Sequence, residues 1–121
     1  MLQIAYVVVK GETKDSWTWF LESLIPDLGG VRLCITYTLI SDQQKGLLPA
    51  LDELLGNVDQ RFCVRHLYSN FRKKFPGLKL KELMWRDACA SYVKAWKKII
   101  LEIKGVNEEA FKHLIKIPPR F

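Results

Sequence analysis

Residues 33–64, LCITYTLISDQQKGLLPALDELLGNVDQRFCV, carry a strand–helix–strand pattern. Leu33–Ser41 is rich in Ile, Thr and Tyr, which predicts a strand that ends directly before Asp42. Leucines at helical spacing predict a helix over about Lys45–Leu55, and Arg61–Val64 predicts a short strand. Because βαβ crossovers place their strands parallel, these two strands should be parallel neighbours, and the fold class should be α/β.

Outward from this unit, Ile4–Val9 is apolar and β-branched, which predicts a further, buried strand. A helical stripe starts near Ser16, with Asp15 or Ser16 available as N-cap. Pro26 and the glycine pair at 29–30 should end that helix. The prediction thus contains about three strands, two of them parallel, with flanking helices.

Beyond residue 64 the pattern predicts helices only. The first carries Leu67, Phe71 and Phe75 on one face. The others are expected at about Leu80–Ala90, at about Tyr92–Lys104 with Val93, Trp96, Ile99, Ile100 and Ile103 inward, and from Asn107, as N-cap, to Pro118–Pro119. We expect one domain, with an α/β part over residues 1–76 and an all-helical part over 77–121.

The charge is distributed unevenly. Four basic and eight acidic side chains precede Arg61, whereas twelve basic and three acidic side chains lie between Arg61 and Lys104. This polarity favours an anionic partner such as nucleic acid for the second half, although solvated helix faces would give the same pattern. No apolar run reaches the roughly 18 residues of a membrane span, and the start lacks the features of a signal peptide, so we expect a soluble intracellular protein without a membrane partner.

The three cysteines are odd in number and widely spaced, which argues against a disulfide framework. Cys34 and Cys89 have apolar neighbours and are expected to be inert core residues. Cys63 and His66 have the Cys-x-x-His spacing that can place two ligands on zinc, but no second pair at short spacing completes a site. The alternative is a buried Cys63 in the strand and a His66 that caps the next helix.

Two polar features are candidates for chemistry or binding. Asp42 should lie at the carboxyl edge of the sheet, where a carboxylate can bind Mg²⁺ or Mn²⁺, or it caps the following helix. The run Arg72-Lys73-Lys74 is a candidate phosphate-binding surface or a solvated patch. Gly-rich phosphate loops, Gly-x-Ser-x-Gly elbows and His-Glu-x-x-His pairs do not occur in the sequence.

Three separated segments resemble, in order and spacing, the core of the MULE (Mutator-like element) transposase domain. They are GETKDSWTWFL at 11–21, LISDQQKGL at 39–47 and RFCVRHLYSNFR at 61–72. The tail from Asn107 through Pro119 also resembles the helical region of that family, so the likeness covers nearly the whole chain.

The resemblance implies an RNase H-like fold of the DDE type, in which two aspartates and a glutamate bind two divalent metals, Mg²⁺ or Mn²⁺, for cleavage and transfer of DNA strands. Asp42 matches the second aspartate and would be both catalytic and metal-binding. Cys63 and His66 match the Cys-x-x-His element, which would orient the strand end or a DNA phosphate. The implied partner is the DNA of transposon ends, with Arg61, Arg65, Arg72, Lys73 and Lys74 as nucleic-acid-binding residues, and the implied location is the nucleus.

The resemblance also suggests departures. The family's first aspartate is expected upstream of the segment beginning at Met1, and its glutamate beyond Phe121. We therefore expect an incomplete RNase H-like fold, a fragment of the catalytic domain that binds metal weakly and does not cleave DNA alone. The alternative is a non-enzymatic, transposase-derived DNA-binding or regulatory protein. Unpaired strand edges should make the chain marginally stable and prone to self-association.

Overall fold

The structure is a computed structural model that describes residues 2–117. Within that range it contains seven helices and two strands: α1 Lys14–Asp27, α2 Val31–Cys34, β1 Thr38–Ser41, α3 Leu47–Leu55, β2 Asp59–Phe62, α4 Val64–Lys74, α5 Leu78–Ala88, α6 Val93–Val106 and α7 Glu108–Leu114. The strands β1 and β2 are hydrogen-bonded neighbours and run parallel, as the crossover rule predicts. The structure is therefore mixed helix and sheet, which is compatible with the predicted α/β class.

The chain divides between Arg61 and Phe62 into two compact units. Helix α4, which the sequence pattern grouped with the α/β part, belongs to the second unit together with α5, α6 and α7. The division of one family domain into residues 1–76 and 77–121 stays a prediction. Among residues 2–117, none of the helices has both the length and the apolar character needed to cross a bilayer.

The first unit has a core between α1 and α3. Apolar side chains at helical spacing on both helices pack together with Cys34 and Val58, which confirms the predicted stripes; the buried residues are Leu21, Ile25, Cys34, Leu47, Ala50, Leu51, Leu55 and Val58. The predicted N-cap of α1 was wrong, because Thr13 holds that position and its side chain accepts a hydrogen bond from the backbone N–H of Ser16 at 3.2 Å. Helix α1 therefore begins at Lys14.

The predicted strand at Ile4–Val9 was wrong. The segment has no regular secondary structure, and all of its side chains except the half-buried Val7 are exposed, with Ile4 at 75% and Val8 at 88%. A strand needs a hydrogen-bonded neighbour. Within residues 2–117 the sheet contains only β1 and β2, so the apolar sequence of this segment has nothing to pair with.

The two other predicted strands are shorter than expected or shifted. Only Thr38–Ser41 of the segment Leu33–Ser41 is a strand, because the glycines at 29 and 30, with φ of +99° and +83°, turn the chain into the helical turn α2. That turn buries the side chain of Cys34, whose thiol points to the carbonyl oxygen of Ile25 at 3.9 Å. The second strand, Asp59–Phe62, lies two residues before its predicted place, since Val64 already begins α4.

The second unit consists of four helices around one apolar core. The buried residues come from all four helices and are Phe71, Leu80, Leu83, Met84, Ile99, Ile100, Ile103, Ala110 and Leu114. Val93 was wrongly predicted to face inward and is 58% exposed, because it is the first residue of α6. Asn107 caps α7 as predicted, its side chain accepting a hydrogen bond from Ala110 N–H at 2.9 Å. The predicted stop at Pro118–Pro119 lies outside the described residues.

Candidate functional site

Asp42 directly follows β1, at the carboxyl edge of the parallel strand pair. Its side chain is half-buried, and Oδ2 accepts one hydrogen bond, from Nε2 of Gln44 at 3.3 Å. The alternative that Asp42 caps the next helix was wrong, because Gly46 occupies the N-cap position of α3. Among residues 2–117 no other partner engages this carboxylate, so most of its lone pairs are open there to a cation or a donor from another molecule.

The loop that carries Asp42 is fixed at its far end by Gly46. A Cβ atom added to Gly46 would lie 2.5 Å from the backbone nitrogen of Lys14 and 2.5 Å from the carbonyl carbon of Thr13. Two of the three family-like segments, 11–21 and 39–47, therefore touch backbone to backbone. The sequence pattern predicts only that a glycine at position 46 is tolerated, because it lies in the first turn of a helix. Sequence reasoning therefore missed this close approach.

The residues around Asp42 do not fit a complete two-metal centre. Such a centre needs several carboxylates to offset the charge of two divalent ions. In the part of the chain that the structure describes, His, Cys, Asp and Glu nowhere form a group of three or more that could hold a metal ion. Asp59, on the neighbouring strand, is already engaged by the hydroxyl of Thr38 at 3.1 Å and by Arg61 at 3.1 Å. The assignment of Asp42 to one of the family's carboxylates, which the resemblance implies, stays a prediction.

Arg61 was predicted to contact nucleic acid. Its guanidinium Nη1 lies 3.1 Å from Oδ1 of Asp59 and also donates to the carbonyl oxygen of Gln60 at 3.4 Å. Part of its charge and hydrogen-bonding capacity is therefore used within the sheet. This leaves Arg61 less available to a phosphate than an arginine without such partners.

Cys63 and His66 lie at the start of α4. Cys63 is the N-cap residue rather than a buried strand residue, and His66 is exposed in the first turn, so both parts of the alternative interpretation were wrong. The neutral thiol makes no side-chain capping hydrogen bond. Hydrogen bonds from His66, followed by one from the backbone of Arg65, stabilise the thiolate and lower the pKa of Cys63. A lowered pKa favours the thiolate, which is the form of a cysteine that can bind a metal ion.

The other two cysteines differ from each other. Cys34 is buried, as predicted, but in α2 rather than in a strand. Cys89 was predicted to be a core residue and is exposed, because it is the C-cap of α5 and lies past the last turn that faces the core. No disulfide joins the three thiols, which are all free.

The basic residues predicted on α4 are exposed. Arg65 is in the first turn, and Arg72, Lys73 and Lys74 form the last turn, where none of them makes an ion pair within residues 2–117. Cations at this end of a helix are favoured by its dipole, so the helix alone gives them a structural role.

His113 on α7 lies beside the end of α4. The ring of His113 is 5.6 Å from that of Phe75, and partial burial, then the charges of Lys74 and Lys116, lower the pKa of His113. Both lysines therefore lie near enough to His113 for their charges to disfavour its protonation.

Comparison with protein families gives a match to the MULE transposase domain over residues 1–70 and thus over more than half of the chain. The matched segment contains the Asp42 loop, Cys63, His66 and the first part of α4. None of the curated proteins and none of the solved structures compared with the chain matches it. A carboxylate at the edge of a parallel strand pair and a Cys-x-x-His helix start thus lie inside one matched segment, and the chain belongs to the MULE transposase domain family.

Proposed function

We propose that this chain is part of the catalytic domain of a Mutator-like DNA transposase with an RNase H-like, DDE-type fold, in which Asp42 is one of the metal-binding carboxylates. The observation that carries the proposal is the position of Asp42 at the carboxyl edge of β1 and β2, inside the segment that matches the family. Ligands and metals bind at this edge of parallel sheets.

The metal would be Mg²⁺ or Mn²⁺, because oxygen ligands such as carboxylates suit these hard cations. When bound, the ions would polarise the phosphodiester and its attacking oxygen. Asp42 alone offers a single carboxylate, and its Oδ2 already accepts from Gln44. We therefore expect weak binding of metal and no cleavage of DNA by this chain on its own.

The partner would be the DNA of transposon ends, and the protein would act in the nucleus. The exposed cations of α4, Arg65, Arg72, Lys73 and Lys74, are suited to phosphate contacts, and Cys63 and His66 would orient the strand end or a phosphate. An alternative is a non-enzymatic, transposase-derived DNA-binding or regulatory protein. This alternative is favoured by two observations on residues 2–117. The cations of α4 are exposed, whereas no group of three or more possible metal ligands surrounds Asp42.

A metal titration tests the role of Asp42. Added Mn²⁺ should broaden the NMR signals of the Asp42 loop only at high concentration, and Asp42→Asn should remove the effect. Asp59→Asn, on the neighbouring strand, is the matched control and should leave the effect in place. Cleavage of transposon-end DNA by the purified chain with Mg²⁺, abolished by Asp42→Ala, would instead show an active enzyme.

DNA affinity as a function of salt tests the role of α4. The double substitution Lys73→Gln and Lys74→Gln should lower duplex affinity and reduce the slope of log K against log salt by about 0.9 for each phosphate that is no longer neutralised. The same change of charge by Lys10→Gln and Arg32→Gln, both exposed in the first unit, should have little effect. Equal reductions of affinity for the two pairs would contradict a binding surface on α4. An affinity that depends on Lys73 and Lys74 but is unchanged by Asp42→Ala, with no cleavage, would favour the regulatory alternative.

A further inference from the structure

Helices α5 and α6 border an open cleft of about 280 Å³ in the second unit. Its volume lies just below the range of pockets that enclose drug-sized ligands, so it suits a small group or one unit of a polymer. The lining is mixed, with three cations, an aromatic ring and an apolar floor, from Arg86, Tyr92, Lys94, Ala95, Lys98 and Ile99.

The three cations are held in different ways. Arg86 on α5 forms a two-point pair with Glu102 on α6, with N–O distances of 3.0 and 3.4 Å, which fixes the guanidinium at the wall of the cleft. Lys94 and Lys98 are exposed and make no ion pair with any residue between 2 and 117. They lie one turn apart on α6, where like charges repel and destabilise the helix. An anion bound between them would relieve that repulsion.

The ring of Tyr92 adds a second kind of contact. Tyr92 precedes α6 and is 64% exposed, whereas Ile99 at the floor of the cleft is buried. A flat aromatic ring beside open ammonium groups is the combination that binds single-stranded nucleic acid, since the ring stacks on an unpaired base while the cations hold the backbone. A paired base in a duplex cannot offer its face in this way.

We propose that the α5–α6 cleft binds single-stranded DNA, with Lys94 and Lys98 on a backbone phosphate and Tyr92 stacked on the adjoining base. The proposal rests on the proposed function in one respect, that DNA is the partner. It uses none of the residues of the Asp42 loop or of α4. It assigns a strand-holding role to helices that the family match, over residues 1–70, does not reach.

Fluorescence anisotropy with a labelled oligothymidine and with a duplex of the same length tests the cleft. The substitution pair Lys94→Gln and Lys98→Gln should lower single-strand affinity about tenfold and reduce the salt slope by about 0.7, which corresponds to the one phosphate that is no longer neutralised. Tyr92→Leu should lower single-strand affinity about fivefold or more and leave duplex affinity unchanged.

The matched control is the pair Lys79→Gln and Lys97→Gln, which removes the same charge from exposed positions on α5 and α6 outside the cleft. Its single-strand affinity should stay within about twofold of the wild type, and circular dichroism should show all variants folded. The proposed binding site would be wrong if both substitution pairs lowered single-strand affinity equally. It would also be wrong if Tyr92→Leu lowered duplex affinity as much as single-strand affinity. If the wild type binds DNA and the Lys94 and Lys98 pair changes nothing, this inference fails while the proposed function stands. If the wild type binds neither the oligothymidine nor the duplex, both this inference and the proposed DNA partner fail.

Discussion

Gly46 shows how one missing methyl group shapes the candidate site. Its backbone φ of −85° is ordinary, so the requirement is for space and not for an unusual conformation. Gly46→Ala should lower the free energy of unfolding by about 1–3 kcal/mol, because the new Cβ would overlap the backbone of Thr13 and Lys14. Urea denaturation followed by circular dichroism measures the change.

Gly105→Ala is the control for Gly46→Ala. Gly105 lies in α6, and a Cβ there would meet nothing within 4 Å. The change should raise stability by about 0.5–1 kcal/mol, since alanine is the better helix former. A decrease of stability in both variants, or in neither, would contradict the close approach at Gly46.

Asp87 is a largely buried carboxyl that no sequence pattern singles out. Burial raises its pKa to about 6, and its Oδ1 is buried without a hydrogen-bond partner. A pKa raised above the unfolded value gives stability that is complete below about pH 4 and is lost as pH rises through about 6. Asp87→Asn should therefore stabilise the protein at pH 7 by about 1–2 kcal/mol, after allowance for partial exposure, and should lose that advantage near pH 4.

Glu82→Gln provides the comparison for Asp87→Asn, because Glu82 is an exposed acid on the same helix. Its stability should follow the wild type from pH 4 to pH 7 in thermal melts. An Asp87→Asn curve parallel to the wild type over that range would show that the carboxyl is not titrating as a buried group.

Single residues were predictable from the sequence where local chemistry decides their place. Asp42 follows a short β-branched run, and Asn107 precedes two glutamates at a helix start, so both positions could be predicted. Gly46 could not, because the space around it is set by Thr13 and Lys14, which are distant in sequence, and no sequence pattern singles out Asp87. The prediction for Cys89 was wrong for the same reason, since apolar neighbours along the chain do not show which side of a helix end faces the core.

At the scale of the element, the start of α1 depends on Thr13. Its hydroxyl oxygen accepts from Ser16 N–H at 3.2 Å and lies 3.1 Å from the Ser16 hydroxyl, which itself donates to the carbonyl oxygen of Gly11 at 2.9 Å. Thr13→Ala should lower the stability of the protein by about 1 kcal/mol, because it removes the side-chain acceptor of the Ser16 N–H. Chemical denaturation should show the decrease.

Thr13→Ser keeps the hydroxyl oxygen and should restore most of the stability that Thr13→Ala removes. If serine is as destabilising as alanine, the methyl group of Thr13 and not its hydrogen bond is what matters. The result bears on the site, because the backbone of Thr13 is one of the two that Gly46 approaches.

Helices were predicted well and strands poorly. The apolar spacing in α1, α3, α5 and α6 is local information, and each helix lies within a few residues of its expected place. A strand depends on a partner that the local sequence does not contain. Thr38–Ser41 and Asp59–Phe62 have one another, whereas the equally β-branched segment at Ile4–Val9 has no pairing strand within residues 2–117.

At the scale of the whole molecule, exposed apolar surface should govern solubility. The segment at Ile4–Val9 is apolar and exposed, and Ile40 on β1 is 71% exposed. We expect self-association through this segment and the open edges of the sheet, together with marginal stability. Val8→Lys should reduce the apparent mass measured by light scattering at high concentration.

Leu101→Lys is the charge-matched control for Val8→Lys. Leu101 is 62% exposed on α6, so this change adds the same charge at an apolar surface position elsewhere. It should leave association almost unchanged. An equal reduction of the apparent mass in both variants would assign the effect to net charge. A monomeric wild type with a sharp, reversible melt would contradict the expected self-association and marginal stability.

The contact between Gly46 and the start of α1 also limits how the chain length can vary in relatives of this protein. Inserting or deleting a residue between Asp42 and Gly46 would shift the position of the Asp42 carboxylate, because Gly46 at the far end of the loop packs against Thr13 and Lys14. Length changes before Gly11 meet no such restraint, since that segment is exposed and irregular. Insertions and deletions in relatives should therefore occur mainly before α1 and be rare in the Asp42 loop.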